Sequence, residues 1–133
     1  MKRYIVLYLS TLIILVPLDF LFLGVLARAF FTAEVGDMLG EVRAAPAILF
    51  YLLYVVGTVV FVSGRADATW RSTLVQGGLF GLFCYATFEL TALSLLRHWS
   101  MAVAAVDMSW GVVVTAISAT AGLLAANWLA PQA

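Results

Sequence analysis

Three carboxylates in this chain stand inside stretches that are otherwise apolar: Asp19, Glu89 and Asp107. An acid at the centre of a membrane helix costs about 2.5–3.5 kcal/mol or more, so each is a place where function or a hydrogen bond must offset a penalty. Such a group can accept a cation, a proton or a polar lipid headgroup. It can also hydrogen-bond across helices, with Tyr or Trp as donor, and fix the register of a bundle.

Depth brings the three together. Asp19 precedes the end of a first apolar stretch by eight residues, Glu89 precedes the end of a third by seven, and Asp107 follows the start of a fourth by six. With alternating helix directions, all three fall on one side of the membrane, roughly 9–12 Å inside the same boundary at a rise of about 1.5 Å per residue. Carboxylates so placed cannot all ionise freely and would share a proton.

Helical spacing gives each acid a polar or small-residue face. Gly77, Gly81, Tyr85 and Glu89 recur every four residues, as do Asp107, Gly111 and Thr115, followed by Ser118 and Gly122. Tyr51, Tyr54 and Thr58 form a comparable stripe, with Tyr51 near the acidic layer. Inward-pointing faces of this kind make a pocket lined by four helices. Gly77 and Gly81 have close-packing spacing, and they belong either inside the bundle or at the interface of a homodimer.

The elements that must carry these residues follow from hydropathy. The chain has 133 residues, of which 65% are hydrophobic and 11% charged, too little polar surface for a water-soluble fold. The pattern predicts an all-α membrane protein, a four-transmembrane-helix antiparallel bundle forming a single transmembrane domain over 1–133. Its spans are expected at about 4–27, 46–63, 72–96 and 101–130, each near or above the roughly 20 residues a bilayer requires. Lys2 and Arg3 with Ala27-Arg28-Ala29 also fit a cleavable signal peptide. The apolar run continues past Pro17 and carries Asp19, which favours a retained span. Residues 28–45, with Glu34, Asp37, Glu41 and Arg43, are expected to be aqueous or interfacial.

Lys2, Arg3, Arg65 and Arg71 on one side against Arg28, Arg43 and Arg97 on the other place both termini in the cytoplasm under the positive-inside rule. Seven basic and seven acidic residues balance, with no basic tail, so no nucleic-acid partner is expected. Cys84 is expected to fill core space, and it cannot form an internal disulfide or a Cys-based zinc site alone. His98 is expected in an exposed loop rather than on a metal. No metal site and no cofactor is anticipated, and HExxH, P-loop, GxGxxG and nucleophile-elbow motifs are missing from the sequence.

Four stretches in order resemble a bacterial inner-membrane family, domain of unknown function 2177, over nearly the whole chain. They are Pro17-Leu18-Asp19 with Leu23-Gly24, then Ala45 to Tyr54, then Gly78-Leu79-Phe80-Gly81 with Tyr85-Ala86-Thr87, and Val106-Asp107-Met108-Ser109-Trp110-Gly111. The family pattern reads Tyr-Asp-Leu-Thr-Asn where this chain has Phe88-Glu89-Leu90-Thr91-Ala92, and Trp where it has Phe22. The acid is therefore lengthened by one methylene and the amide lost. The resemblance implies a multi-pass protein of the bacterial inner (plasma) membrane and draws attention to Asp19, Glu89 and Asp107, with Trp110 beside the last. It implies architecture, not an activity.

The candidate ligand-binding residues are thus Asp19, Tyr51, Tyr54, Tyr85, Glu89, Asp107 and Trp110. Three functions compete: binding or transport of a cation, proton or lipid headgroup, a lipid-modifying enzyme or accessory subunit, and a structural or assembly role. Convergence of the carboxylates with the tyrosines favours the first. A general base without a recognisable nucleophile or cofactor motif makes the second weaker.

Overall fold

The computed structural model describes residues 1–41 and 43–132; Val42, within the segment expected to be aqueous or interfacial, and Ala133 lie outside the described residues. Four helices are long and apolar enough to cross a membrane: α1 (Lys2–Leu26), α3 (Ala44–Ser63), α4 (Trp70–Leu95) and α5 (Met101–Leu129). Between α1 and α3 a shorter helix, α2 (Arg28–Val35), is followed by a 3₁₀ turn at Gly36–Met38. The protein is a helix bundle, and no strand occurs among the described residues.

Local chemistry sets the helix ends. Thr69 opens α4 with a reciprocal cap, its Oγ1 accepting from the Ser72 N–H at 3.1 Å while its own N–H donates to Ser72 Oγ at 2.9 Å. Ser100 opens α5 by accepting from the Val103 N–H at 3.2 Å, and its hydroxyl donates to Glu34 Oε1 of α2 at 2.7 Å. Pro46 sits in the first turn of α3, where a missing N–H costs little. Pro17 lies inside α1 and removes one rung of its ladder. The last turns of α1 (Phe22–Leu26) and α3 (Val59–Ser63) are π-wound, closed by Ala27 N–H to Phe22 O and Gly64 N–H to Val59 O, both at 2.7 Å.

α5 is the central mast. Along one side it packs on α4, where both backbones come close: a methyl on Gly77 would stand 3.2 Å from the Ala116 Cα, and one on Gly81 would stand 2.7 Å from Thr115 Oγ1. Gly77 and Gly81 therefore lie inside the bundle, where small residues admit a neighbouring helix. Gly111 in turn accepts the face of Tyr85. Along its other side α5 meets α1, whose buried residues Leu7, Thr11, Leu15 and Asp19 recur every four positions. Thr11 rests against Gly122.

α3 fills the remaining side unevenly. It meets α4 and α5 through its π-wound last turn and, nearer its middle, through Tyr54, whose ring lies 5.5 Å from Phe80 and 6.1 Å from Tyr85. Tyr8 ties α1 to α3 by donating to the Leu52 carbonyl at 3.0 Å. At the far end, Arg3 donates to the Ala130 carbonyl at 3.1 Å and to Asn127 Oδ1 at 2.7 Å, binding the start of α1 to the end of α5. Ile13, Phe61, Phe83 and Leu95 are exposed on the bundle's outside, as a lipid solvent requires.

α2 gives structure to a segment with no expected element. Val35 is buried, and Glu34 reaches Ser100, so the helix folds back over the acid-side end of α5.

Candidate functional site

The observed helices keep the acids level. Asp19 lies seven residues before the end of α1, Glu89 six before the end of α4 and Asp107 six after the start of α5. That is a common depth of roughly 9–11 Å.

Their surroundings differ. Asp19 is 5% exposed, with Tyr51 of α3 donating its hydroxyl to Oδ2 and Trp110 of α5 donating its indole N–H to Oδ1 at 2.9 Å. One carboxylate thus joins three helices. Trp110 is held flat against Phe22 of α1, the rings 4.3 Å apart and 5° from parallel, so the smaller ring at position 22 still supports the donor. Glu89 is 1% exposed and accepts the Trp99 indole N–H at 2.6 Å. Trp99 comes from the loop between α4 and α5, which must fold back to reach it.

Asp107 stands apart. It is half-buried, and its carboxyl lies beside that of Glu89. Among the described residues no hydroxyl, indole or cation donates to it, and the one ion pair is the exposed Arg65–Asp67 contact at 3.4 Å. Among the described residues the acidic layer has no built-in counter-ion.

A cleft of ≈ 320 Å³ opens beside it, lined by all four spanning helices. Asp19 and Leu23 come from α1, Phe50 and Tyr54 from α3, Cys84, Tyr85 and Phe88 from α4, and Asp107 from α5. Leu23, Phe50 and Phe88 are 40%, 44% and 58% exposed, so the mouth faces lipid rather than water. Cys84 packs against the core as expected, and being half-buried it also lines the cleft. Two wider grooves, of ≈ 380 Å³ on α1–α5 and ≈ 530 Å³ on α4–α5, carry no carboxylate and suit lipid chains only.

Of the residues singled out in the sequence, Asp19, Tyr54, Tyr85 and Asp107 line the cleft. Tyr51 and Trp110 hold Asp19, and Glu89 lies behind Asp107 rather than in the wall. Sequence reasoning missed Trp99 as the donor to Glu89 and the mouth residues Phe50 and Phe88. Trp99 had a signal as an interfacial aromatic, and Phe50 and Phe88 had none beyond lying in apolar spans. Among the described residues no three His, Cys, Asp or Glu side chains are placed to hold a metal ion.

The fold and site define an integral membrane bundle with an acidic cleft open to lipid. The chain belongs to the family described as predicted membrane protein, domain of unknown function 2177, whose pattern matches residues 4–124. Comparison with curated proteins and with solved structures gives no match.

Proposed function

We propose that the cleft binds an amphiphile with a cationic head, taken laterally from the lipid phase. The observation that carries this reading is Asp107: a half-buried carboxyl beside Glu89 to which no hydroxyl, indole or cation donates among the described residues, facing a cleft that also exposes Asp19. An incoming ammonium supplies the missing charge, and a charge buried without a partner is what a membrane tolerates least. Tyr54, Tyr85 and Phe88 offer ring faces that attract cations. The mouth of Leu23, Phe50 and Phe88 suits an alkyl chain. A bare metal ion fits less well, since a cavity of ≈ 320 Å³ with largely apolar walls is sized for a small organic molecule.

A structural role is favoured for one acid only. Glu89 has its donor in Trp99 and stands outside the wall, which makes it a packing residue that also sets the charge beside Asp107. No observation favours the lipid-modifying alternative.

We place the bundle in a bacterial inner membrane with both termini and residues 64–69 in the cytoplasm, on the charge asymmetry of the loops. The binding reading is tested with a photoactivatable dodecylamine added to cell membranes. Wild-type protein is labelled at the mouth, at or beside Leu23, Phe50 and Phe88, and Asp107→Asn abolishes labelling there. Equal labelling of wild type and the variant would refute the reading.

A further inference from the structure

The half of the bundle away from the carboxylates holds a second polar arrangement. Among the described residues each spanning helix buries one hydroxyl without a hydrogen-bond partner there: Thr11 of α1, Ser63 of α3, Thr73 of α4 and Ser118 of α5, all 1% exposed or less. A buried polar group left unpaired costs about 1–3 kcal/mol. Helical Ser and Thr usually avoid that by bonding to the carbonyl one turn back, as the exposed Thr87 and Ser109 do at 2.6 and 2.8 Å. The four buried hydroxyls do not. Thr120 of α5, half-buried, carries a further unpaired hydroxyl about 200° around the helix from Ser118 and lies off this arrangement.

Their depths form a staircase. Ser63 ends α3 and Thr73 lies in the first turn of α4, both at the boundary beside residues 64–69. Thr73 is one turn before Gly77, on the α4 face that meets α5 at Ala116 and Ala119. Deeper, Thr11 rests on Gly122, with its Cβ 3.3 Å from where a methyl there would stand. Gly122 is one turn from Ser118, and Ser118 is one turn from Thr115 on the same buried face. Thr115 shares a 2.6 Å hydrogen bond with Tyr54, and Tyr54 lines the acidic cleft. Along the α5 face the order from the 64–69 side is therefore Thr73, then Thr11 at Gly122, Ser118 and Thr115, and Tyr54 brings it to the cleft wall.

We propose that these hydroxyls hold a file of internal water that conducts protons between the 64–69 boundary and the carboxylates of Asp19 and Asp107, through Tyr54 and Thr115. Hydroxyls both donate and accept, carry no charge, and are the groups that buried water satisfies. A file of this kind passes protons rather than metal cations, for which it offers no charged ligand. A proton arriving at the boundary adds to a water. Each oxygen along the file then forms one O–H bond as it releases another, and the last proton forms an O–H bond on a carboxylate. The reverse sequence returns it, and nothing is oxidised or reduced. The proposal stands on residues outside the cleft wall and does not depend on what the cleft binds.

The test uses the full chain in detergent micelles and follows the carboxyl C=O infrared absorption after a rapid drop in pH. Wild type shows a band, assigned by its loss in Asp107→Asn, that rises as the carboxylate takes up a proton. Ser118→Ala and Thr73→Val each slow that rise about tenfold, as a barrier raised by about 1.4 kcal/mol would. Thr73→Ser, which keeps the hydroxyl, restores it, and Thr87→Val on the lipid face matches wild type. Helicity and monodispersity are measured for every variant. A carboxyl band that does not respond to the pH drop overturns the proposal. So do a wild-type rate in folded Ser118→Ala and Thr73→Val, and a Thr73→Ser variant as slow as Thr73→Val.

Discussion

Asp107 and Glu89 lie side by side at the seam between α4 and α5, and among the described residues the Trp99 indole donates to Glu89 at 2.6 Å while no hydroxyl, indole or cation donates to Asp107. The pair therefore divides labour. Glu89 is anchored from the loop, and Asp107 is left to whatever enters the cleft. Trp99→Phe removes the anchor and leaves a buried acceptor unpaired, which costs about 1–3 kcal/mol. Unfolding of the detergent-solubilised protein followed by helicity checks this, and Glu89→Gln, whose amide oxygen still accepts from the indole, loses less.

Asp19 accepts from two helices at once, so its donors act as a unit. Tyr51→Phe and Trp110→Phe are each expected to destabilise by about 0.5–1.5 kcal/mol, or up to 3 where the acceptor stays charged. The double variant departs from additivity because both donors serve one carboxylate. A double-mutant cycle on unfolding free energies measures the coupling, and strictly additive losses would mean that the two bonds are independent.

The α4–α5 seam depends on two missing side chains. A methyl on Gly111 collides with the Tyr85 ring, and one on Gly81 collides with the Gly111 backbone, so Gly81→Ala and Gly111→Ala must push the helices apart. Overpacking of this kind costs about 1–3 kcal/mol. A methyl on Gly24 would meet nothing within 4 Å, and Gly24→Ala is the neutral control. Thermal unfolding of the three variants side by side checks the contrast.

Much of the fold was legible because length and hydropathy alone define spanning helices. Observed bounds of Lys2–Leu26, Ala44–Ser63, Trp70–Leu95 and Met101–Leu129 lie close to the expected 4–27, 46–63, 72–96 and 101–130. The common depth of Asp19, Glu89 and Asp107 followed from counting residues, and the four-residue recurrence of Gly77, Gly81, Tyr85 and Glu89 marked an inner face. Pairings were harder. In lipid the outer sides of these helices are as apolar as the inner ones, so periodicity does not say how far each helix is rotated or which neighbour it meets. The bonds from Tyr51 and Trp110 to Asp19 depend on that rotation. The Trp99–Glu89 bond depends on a loop turning back on its own helix. Ser118 was legible on the face of Asp107, Gly111 and Thr115, whereas Thr11, Ser63 and Thr73 gave no signal, since single hydroxyls are common in membrane helices and only their burial without partners sets them apart. α2 was not legible, because the charges of residues 28–45 mark that segment only as aqueous or interfacial and do not show that Glu34 reaches Ser100.

The proposed orientation rests on the charge asymmetry of the loops. A fluorescent protein that matures only in the cytoplasm, fused after Ala133, is expected to fluoresce. The same reporter inserted at Arg97–Trp99 is expected to stay dark, and the opposite pattern would invert the assignment.

The central claim, that Asp107 receives a cationic head from the lipid phase, is tested most directly by equilibrium binding of labelled dodecylammonium to the protein in phosphatidylcholine nanodiscs. Dodecanol serves as the uncharged competitor. Wild type binds the amine saturably and dodecanol competes poorly. Asp107→Asn weakens binding about tenfold to a hundredfold, as losing a charge-assisted bond of about 1.5–3 kcal/mol should. Unchanged affinity in a folded Asp107→Asn protein, or dodecanol competing as well as the amine itself, would contradict it.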